Sequence, residues 1–271
     1  MIRTLLMLTF WAIALPFVFL FCFPWTLLTG SADFMYRVFM WGTSRGVRLA
    51  GVRASTVGLE RLDPARSYIF MSNHVSNIDP PLMIPLIPRR TSILIKQELF
   101  KIPLLGRAMR AGAMVPVDRA NRDAGIAAVR AACQVVRQGL NMTIYVEGHR
   151  SRDGKLMAFK KGPFYLAMEC KIPVVPVTIS GTHEVMPKGR FAIKPGKVEV
   201  IFHDPIEPQD FGSRDNLMEK VRRAIDSGLP PELQENPQQT TLAQPPRMTG
   251  HPEQSEASMH SFREAREENT P

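Results

Sequence analysis

The sequence is poor in cysteine, with three such residues among 271. Cys22, Cys133 and Cys170 lie far apart in apolar stretches, and they form neither a Cys-x-x-Cys pair nor a cluster with histidine. This scarcity excludes a disulfide framework and a structural zinc site. We expect all three to be small core or membrane-facing residues of a protein in a reducing compartment.

Charged residues are absent from Thr4 to Leu28, a run of 25 residues rich in Leu, Phe and Trp. About 20 apolar residues suffice to cross a bilayer as a helix. The run is too long for a signal-peptide core and no small-x-small cleavage site follows it, so it predicts a retained membrane anchor. Pro16 and Pro24 interrupt the backbone hydrogen bonds of such a helix, which leaves a kinked span and a re-entrant, one-leaflet helix both open.

Positive charge dominates the rest of the chain. The net charge is +9, and residues 229–271 hold three arginines against seven glutamates, so residues 1–228 carry +13. A basic body beside a hydrophobic anchor favours membrane lipids over nucleic acid as its partner. One arginine precedes the anchor and four follow it by residue 53, which places the bulk of the protein on the cytoplasmic face, as expected at a bacterial inner membrane.

Composition divides the chain into three parts. Residues 1–53 combine the anchor with an amphipathic helix over residues 33–53, which is expected to lie at the membrane interface or, alternatively, to be an ordinary core helix. Residues 54–228 are expected to form the main folded domain. Residues 229–271 are polar and acidic with few apolar residues, which predicts a disordered tail.

The middle part alternates between short β-rich runs and helical patterns. A helix is predicted from Asn121 to a C-capping Gly139, and another over 214–225. Near-continuous apolar strands separated by helices predict an α/β fold with a mixed, largely buried sheet flanked by helices, preceded by N-terminal hydrophobic membrane helices. The predicted strands are Ser67–Ser72, Ser92–Lys96, Ala113–Val117, Met142–Val146, Val174–Ser180 and Lys197–Phe202.

A histidine and an aspartate follow the first of these strands. His74 is suited to accept a proton near neutral pH, and Asp79, five residues on, could bind the other ring N–H and fix the tautomer. The carboxyl edge of an open α/β sheet is where such sites lie. Taken alone, the pair has an alternative interpretation, because Asp79 before two prolines could simply cap the next helix.

Two further strands also end in charged residues. Arg119 follows the Ala113–Val117 strand and offers a planar fork of donors to a phosphate, although it could equally form a surface pair with Asp118. Glu147, Gly148 and Arg150 follow the Met142–Val146 strand, and two lysines come soon after. Three charged strand ends in one chain favour a shared site over three unrelated basic turns.

These blocks, in this order and spacing, resemble those of the glycerolipid acyltransferase family. The resemblance covers about residues 54–205 and is carried by four ordered blocks, which make it specific where any one block alone would be weak. The matching positions are Asn73, His74 and Asp79; Gly112 through Asp118 and Arg119; Glu147, Gly148, Arg150 and Ser151; and Val175, Pro176, Val177 and Gly181.

The resemblance implies transfer of a fatty acyl group from acyl-CoA or acyl carrier protein to lysophosphatidate, which gives phosphatidate. His74 and Asp79 would be catalytic, and Arg119, Glu147, Gly148 and Arg150 would bind substrate, with backbone N–H groups near Gly148 stabilising the oxyanion. No metal or cofactor is expected. Alternatives are another lysolipid or glycerol 3-phosphate as acceptor, and a catalytically silent lipid-binding homologue.

The third block departs from the family pattern at two positions. Val146 replaces the usual Pro, and His149 replaces the usual Thr. Because Glu147, Gly148 and Arg150 are retained, we expect the phosphate pocket to be retained. His149 is expected to be a harmless surface replacement, the alternative being an altered preference for the acceptor.

Overall fold

A mixed seven-stranded sheet forms the centre of the protein in the computed structural model, which describes residues 2–117, 122–190 and 192–235. The strand order is β1-β7-β6-β2-β5-β3-β4, and neighbouring strands are parallel except for β6 and β7. The strands are β1 (Val52–Val57), β2 (Ile69–Ser72), β3 (Thr91–Lys96), β4 (Val115–Val117), β5 (Asn141–Tyr145), β6 (Val174–Ser180) and β7 (Gly196–Phe202).

Helices precede, connect and follow these strands. Short 3₁₀ segments occupy Leu59–Arg61, Ile84–Leu86, Gln97–Lys101 and Pro208–Asp210, and a π-helical segment occupies Val18–Cys22. The α-helices are α1 (Ile2–Phe17), α2 (Phe23–Thr29), α3 (Asp33–Leu49), α4 (Asp79–Met83), α5 (Pro103–Ala111), α6 (Arg122–Arg137), α7 (Lys161–Cys170), α8 (Thr182–Val185) and α9 (Arg214–Ser227).

The centre of the sheet is buried on both faces. In β2, Ile69, Phe70 and Met71 have no exposed surface, and alternate residues face different layers. Ile69 and Met71 join the cluster that includes residues of α6, α7 and α9, whereas Phe70 packs with β6 and β7 residues on the other side. Full burial of each such side chain stabilises the fold by roughly 1.5–3 kcal/mol. The predicted buried α/β sheet is therefore confirmed.

Strand boundaries differ from the prediction where the local backbone turns. Ala113 has a φ of 58°, a left-handed conformation that an extended strand does not accommodate, so β4 begins only at Val115. Strand β1 was not predicted, because its sequence VRASTV is mostly exposed and carries no apolar run. It pairs with β7 at the edge of the sheet.

The cysteine prediction is wrong for two residues. Cys133 of α6 and Cys170 of α7 form a disulfide, with their Cα atoms 5.5 Å apart. They are 37 residues apart in sequence, and only the packing of α6 beside α7 brings them together. Cys22 remains a free, fully buried thiol, as expected.

Residues 2–29 are helical throughout, despite two prolines. The π-helical segment begins two residues after Pro16 and ends two residues before Pro24, so it lies where both prolines interrupt the regular α-helical hydrogen bonds. By length and composition, Arg3–Thr29 is the one candidate for a membrane span in the described ranges, with a mean hydropathy of 2.4 over its most apolar window. A core helix or a signal sequence can meet the same criteria.

Helix α3 confirms the helix predicted over residues 33–53, although it ends at Leu49 because Gly51 turns the chain with a φ of 83°. One side of α3 packs on α1, where a Cβ on Gly46 would lie 2.8 Å from Nε1 of Trp11. The opposite side exposes Phe34, Trp41 and three arginines. Helix α3 thus has one side packed as in a core helix and one side exposed as in an interfacial helix, the two interpretations that the sequence left open.

Both ends of the α1–α2 rod touch the rest of the protein. At its start, Thr4 Oγ1 donates to the carbonyl of Ile193 at 3.4 Å, and the Arg3 guanidinium lies against Gly51. Near its end, Val18, Cys22 and Phe23 form a buried cluster with α3, and two alanines of α5 pack against that cluster.

Candidate active site

The carboxyl ends of β2 and β5 form the centre of the candidate site. Ser72 of β2 is paired in register with Tyr145 of β5. His74 lies two residues after Ser72, and Glu147 lies two residues after Tyr145. The block that begins at Asn73 and the block that begins at Glu147 therefore lie side by side at one edge of the sheet. This juxtaposition is what the two strand ends predicted.

His74 and Asp79 form a direct hydrogen-bonded pair. Nδ1 of His74 lies 2.8 Å from Oδ2 of Asp79, which also accepts the backbone N–H groups of Val75 and Ser76 at 2.8 Å each. Asp79 has no exposed surface, and 17% of the His74 side chain is exposed. The Asp79 carboxylate therefore accepts three hydrogen bonds, which fix its position. It binds the His74 ring through Nδ1, so that Nε2 remains available to accept a proton.

Two buried polar residues hold the loop that carries this pair. The Asn73 amide donates to the carbonyl of Ile179 at 2.9 Å and accepts the N–H of the same residue at 2.8 Å. Ser76 Oγ donates to the carbonyl of Met186 at 2.7 Å. These contacts clamp both sides of His74 to β6 and the segment after α8. The sequence motif contained Asn73 and Ser76 but gave no indication of their partners.

The ring of Tyr145 stacks on His74, with ring centroids 4.2 Å apart. Burial raises the pKa of the Tyr145 phenol well above its ordinary value, and the charge of Asp79 raises it further. The hydroxyl is buried and has no hydrogen-bond partner within the described residues. Sequence reasoning missed this residue; the available signal was an aromatic side chain at the strand end just before Glu147.

Glu147 is fully buried beside the loop that carries His74 and Asp79. Its Oε1 accepts the backbone N–H of His74 at 3.4 Å, while Oε2 has no partner among the described residues. Burial raises the pKa of this carboxyl to about 8, an effect only partly offset by the N–H groups of His74 and Met157 and by the charge of Arg222. Glu147 therefore supports the His74 backbone, and a direct contact with substrate stays a prediction.

Gly148 occupies a left-handed turn, with a φ of 75°. A Cβ there would lie 3.3 Å from Cγ of Lys160, so glycine suits both the conformation and the space. Its N–H donates to the carbonyl of Tyr145 at 3.1 Å, which closes the turn. The Gly148 N–H itself is thus engaged within the protein, and the expected oxyanion donors near it stay a prediction.

Arg150 lies partly exposed at the same edge. The next residue anchors this block to the loop that carries His74, because the N–H of Ser151 donates to the carbonyl of His74 at 2.8 Å. The ammonium of Lys188 donates to the Arg150 carbonyl at 2.7 Å and adds a cation that the sequence did not indicate.

Arg119 falls outside the described residues. The strand before it, β4, is separated from β5 by β3.

Residues 53–180 match the model of the Acyltransferase family. This range contains the His74–Asp79 pair and the block from Glu147 to Ser151. Over this segment the chain matches the acyltransferase family, as the order of its sequence blocks predicted.

The chain is also similar to proteins named 1-acyl-sn-glycerol-3-phosphate acyltransferase. The one from Limnanthes douglasii is 36% identical over 144 residues, which cover 53% of this chain and 51% of the relative. The human alpha form is 26% identical over 180 residues, covering 65% and 64% of the two chains. The matched segment thus spans about half the length of the Limnanthes relative.

A solved structure shares most of this architecture. The crystal structure of the 1-acyl-sn-glycerophosphate acyltransferase PlsC from Thermotoga maritima matches with a TM-score of 0.69 and 28% identity. The match covers 84% of this chain and 95% of that one. It confirms the fold class predicted from the sequence.

Proposed function

We propose that this protein transfers a fatty acyl group from a thioester donor to the free hydroxyl of 1-acyl-sn-glycerol 3-phosphate (lysophosphatidate) to form phosphatidate. The observation that carries the proposal is the 2.8 Å contact between His74 Nδ1 and a buried Asp79 at the carboxyl edge of the sheet. The names of its relatives support this acceptor.

The chemistry requires one proton to leave the acceptor hydroxyl. His74 removes it through Nε2 as the oxygen attacks the thioester carbon, and Asp79 stabilises the resulting imidazolium. The new C–O ester bond forms, the C–S bond breaks, and the proton leaves with the thiolate of the donor. A thiolate leaves readily, so the route uses no acyl-enzyme, metal or cofactor. General-base assistance of this kind contributes about 10²–10⁴ in rate.

The glycerol phosphate is proposed to bind beside this pair, toward Arg150. Arg150 and Lys188 supply positive charge at the sheet edge next to His74, and Arg119 is expected to assist. A guanidinium can bind two phosphate oxygens at once, which fixes the direction of the acceptor hydroxyl as well as its affinity.

The test is direct measurement of transfer. The purified full chain in detergent is offered labelled acyl-CoA or acyl carrier protein, together with lysophosphatidate, glycerol 3-phosphate or other lysophospholipids. We expect labelled phosphatidate from lysophosphatidate with at least one donor. Transfer only to another acceptor would assign a different substrate, and lipid binding without transfer to any acceptor would support the silent homologue.

Replacing Arg150 by alanine should raise the KM for lysophosphatidate about tenfold to a hundredfold, because a charge-assisted hydrogen bond contributes about 1.5–3 kcal/mol. The KM for the acyl donor should change far less. Steady-state kinetics with each substrate varied in turn measures both values. Arg152→Ala is the matched control, since Arg152 is exposed only two residues away. Equal loss for both substrates, or in both variants, would contradict the phosphate-binding role.

The N-terminal helices are proposed to lie along one leaflet of the membrane rather than to cross it, with the catalytic domain on the cytoplasmic side. Support comes from the contacts at both ends of the α1–α2 rod: Thr4 with Ile193 at one end, and Val18 to Phe23 beside α5 at the other. A helix that spans about 30 Å of hydrocarbon could not touch one water-exposed domain at both ends.

Replacing four exposed side chains of this rod by glutamine should release the protein from membranes. Leu20, Phe21, Leu27 and Leu28 are 61–84% exposed, and each contributes roughly 1.5–3 kcal/mol when it enters an apolar medium. The measurement is the fraction in the supernatant after high-salt washing. Val57→Gln, at an exposed apolar position on β1, should remain in the pellet. A quadruple variant that stays wholly in the pellet contradicts the anchor.

Labelling of a cysteine added ahead of Met1 distinguishes the two membrane arrangements. The three native cysteines give little background, because Cys22 is buried and the other two are joined. In sealed vesicles that expose the catalytic domain, an impermeant maleimide should label the added cysteine without detergent. Labelling only after detergent would establish a membrane-spanning helix.

A further inference from the structure

A cavity of about 520 Å³ lies between α3 and the segment that leads into β3. Because β3 begins at Thr91 and runs parallel to β5, which in turn is parallel to β2, this cavity is at the edge of the sheet opposite His74. Its volume is in the range of small-molecule sites. None of the residues of the candidate active site lines it.

The walls of this cavity combine apolar surface with guanidinium groups. Met40, Ile84 and Ile87 contribute the apolar part, and Arg37, Arg89 and Arg90 contribute positive charge against the single carboxylate of Asp33. The guanidinium of Arg89 is bound to backbone carbonyls of the neighbouring turn, so it adds charge but few available donors. This composition suits an anion that carries an apolar group.

Arg90 is held in place with one donor unused. Its Nη1 donates to Asp33 Oδ1 at 2.8 Å, and its guanidinium carbon lies 5.9 Å from the centre of the Tyr36 ring. Its Nε is buried and has no acceptor among the described residues. A buried donor without an acceptor is costly, and this Nε itself is out of reach of a ligand. The Arg90 side chain is still 24% exposed, so part of it faces the cavity that it lines.

Arg37 is the second cation of the cavity and is exposed. It makes no hydrogen bond or ion pair with any residue in the part of the chain that the structure describes. It lies between Phe34 and Trp41 on one face of α3, at helical spacings of three and four residues. Both aromatic side chains are exposed, and Phe34 also contacts Trp25 of α2. Aromatic residues interleaved with arginine are typical of the headgroup level of a bilayer.

We infer that this cavity binds the phosphate headgroup of an anionic membrane phospholipid through Arg37 and Arg90, with the lipid chains lying along Met40 and the exposed aromatic face of α3. The site is separate from the active site and does not depend on the proposed acyl transfer. It would hold a lipid beside α3, while substrate binds at the opposite edge of the sheet, at the carboxyl ends of β2 and β5.

Native mass spectrometry of the full chain released from detergent tests the inference. The protein is titrated separately with phosphatidylglycerol, phosphatidylcholine and glycerol 3-phosphate. We expect wild-type protein to retain phosphatidylglycerol in preference to the other two. Arg37→Gln and Arg90→Gln should each weaken retention tenfold or more, because each removes a charge-assisted hydrogen bond. Thermal melts check that the variants are folded.

Arg48→Gln is the matched control, since it removes the same charge from an exposed position on the same helix outside the cavity. It should retain phosphatidylglycerol as wild type does. Three results would overturn the inference: equal weakening in Arg48→Gln, which indicates non-specific attraction; equal retention of phosphatidylcholine; and equal retention of glycerol 3-phosphate, which indicates a site for a soluble phosphate.

Discussion

A His74→Ala protein is expected to fold, to bind membranes and to transfer acyl groups about 10²–10⁴ times more slowly than wild type. Among the residues that the structure describes, the imidazole is the one base whose orientation is fixed by a buried carboxylate at the sheet edge. Its side chain is 17% exposed and stacks on Tyr145, so its removal leaves a partial void. A thermal melt should accompany the measurement of turnover on lysophosphatidate.

Asp79→Asn offers a second variant that keeps the shape of the site. Its amide oxygen can still accept the N–H groups of Val75 and Ser76, but the negative charge that stabilises the imidazolium is lost. The double variant should be no slower than the worse single variant by more than a few-fold, because both residues serve one proton transfer. Fully multiplicative losses would mean that the two act independently.

His149→Ala is the control for this series, since His149 is an exposed histidine at the same edge. We expect its turnover to be within about threefold of wild type, which is small beside the 10²–10⁴ expected for the base. A folded His74→Ala protein that retains more than about a tenth of the wild-type rate would contradict general-base catalysis.

Glu147→Gln is expected to stabilise the protein, by an amount that grows with pH. The native pKa of Glu147 is raised by burial to about 8, above its ordinary value of 4.5. The protonated form therefore favours the native state: this contribution is fully present below pH 4.5 and is lost as the pH rises toward 8. The loss is about 1.4 kcal/mol per pH unit, or about 5 kcal/mol in total.

Glutamine does not titrate, so the variant avoids this loss. The difference in unfolding free energy between variant and wild type should increase by about 3 kcal/mol from pH 4.5 to 7 and level off above pH 8. Denaturant unfolding at several pH values measures it. Glu169→Gln, at an exposed position on α7, should give a difference that stays nearly constant with pH. A constant difference for Glu147→Gln as well would mean that Glu147 is ionised in the native protein.

The same variant separates support of the backbone from substrate contact. The glutamine carbonyl can still accept the N–H of His74, so turnover near neutral pH should stay within a few-fold of wild type. Glu147→Leu removes the acceptor and should lower kcat while the KM values change little. A large rise in the KM for lysophosphatidate in Glu147→Gln would instead indicate that the carboxylate binds the acceptor.

The central strands could be predicted because they are apolar on both faces and bounded by turns. Strand β6 has the predicted bounds, Val174–Ser180, and every residue in it is buried. Strand β1 could not be predicted in the same way, because an edge strand with one buried position leaves no periodic signal. The disulfide between α6 and α7 depends on which helices pack together, and a single sequence does not contain that information.

In the candidate site, too, some features could be predicted from the sequence and others could not. His74, Asp79 and Glu147 could be found from their positions after two strands, because parallel neighbours bring their carboxyl ends together. The contacts that hold them could not be found, since Asn73 meets Ile179 from 106 residues away and Tyr145 meets His74 only through the strand register. The family resemblance implies that Glu147 binds substrate, which stays a prediction, and the burial of this carboxyl becomes visible only in three dimensions.

The stack between His74 and Tyr145 also determines where the ring protons of His74 resonate in a magnetic resonance spectrum. Protons held over the face of an aromatic ring 4.2 Å away experience its ring current and resonate upfield of their usual position. Among six histidines, His74 should therefore give a displaced ring-proton signal that can be assigned with the His74→Ala protein as the blank. Its protonation could then be followed directly as an acyl donor or acceptor is added.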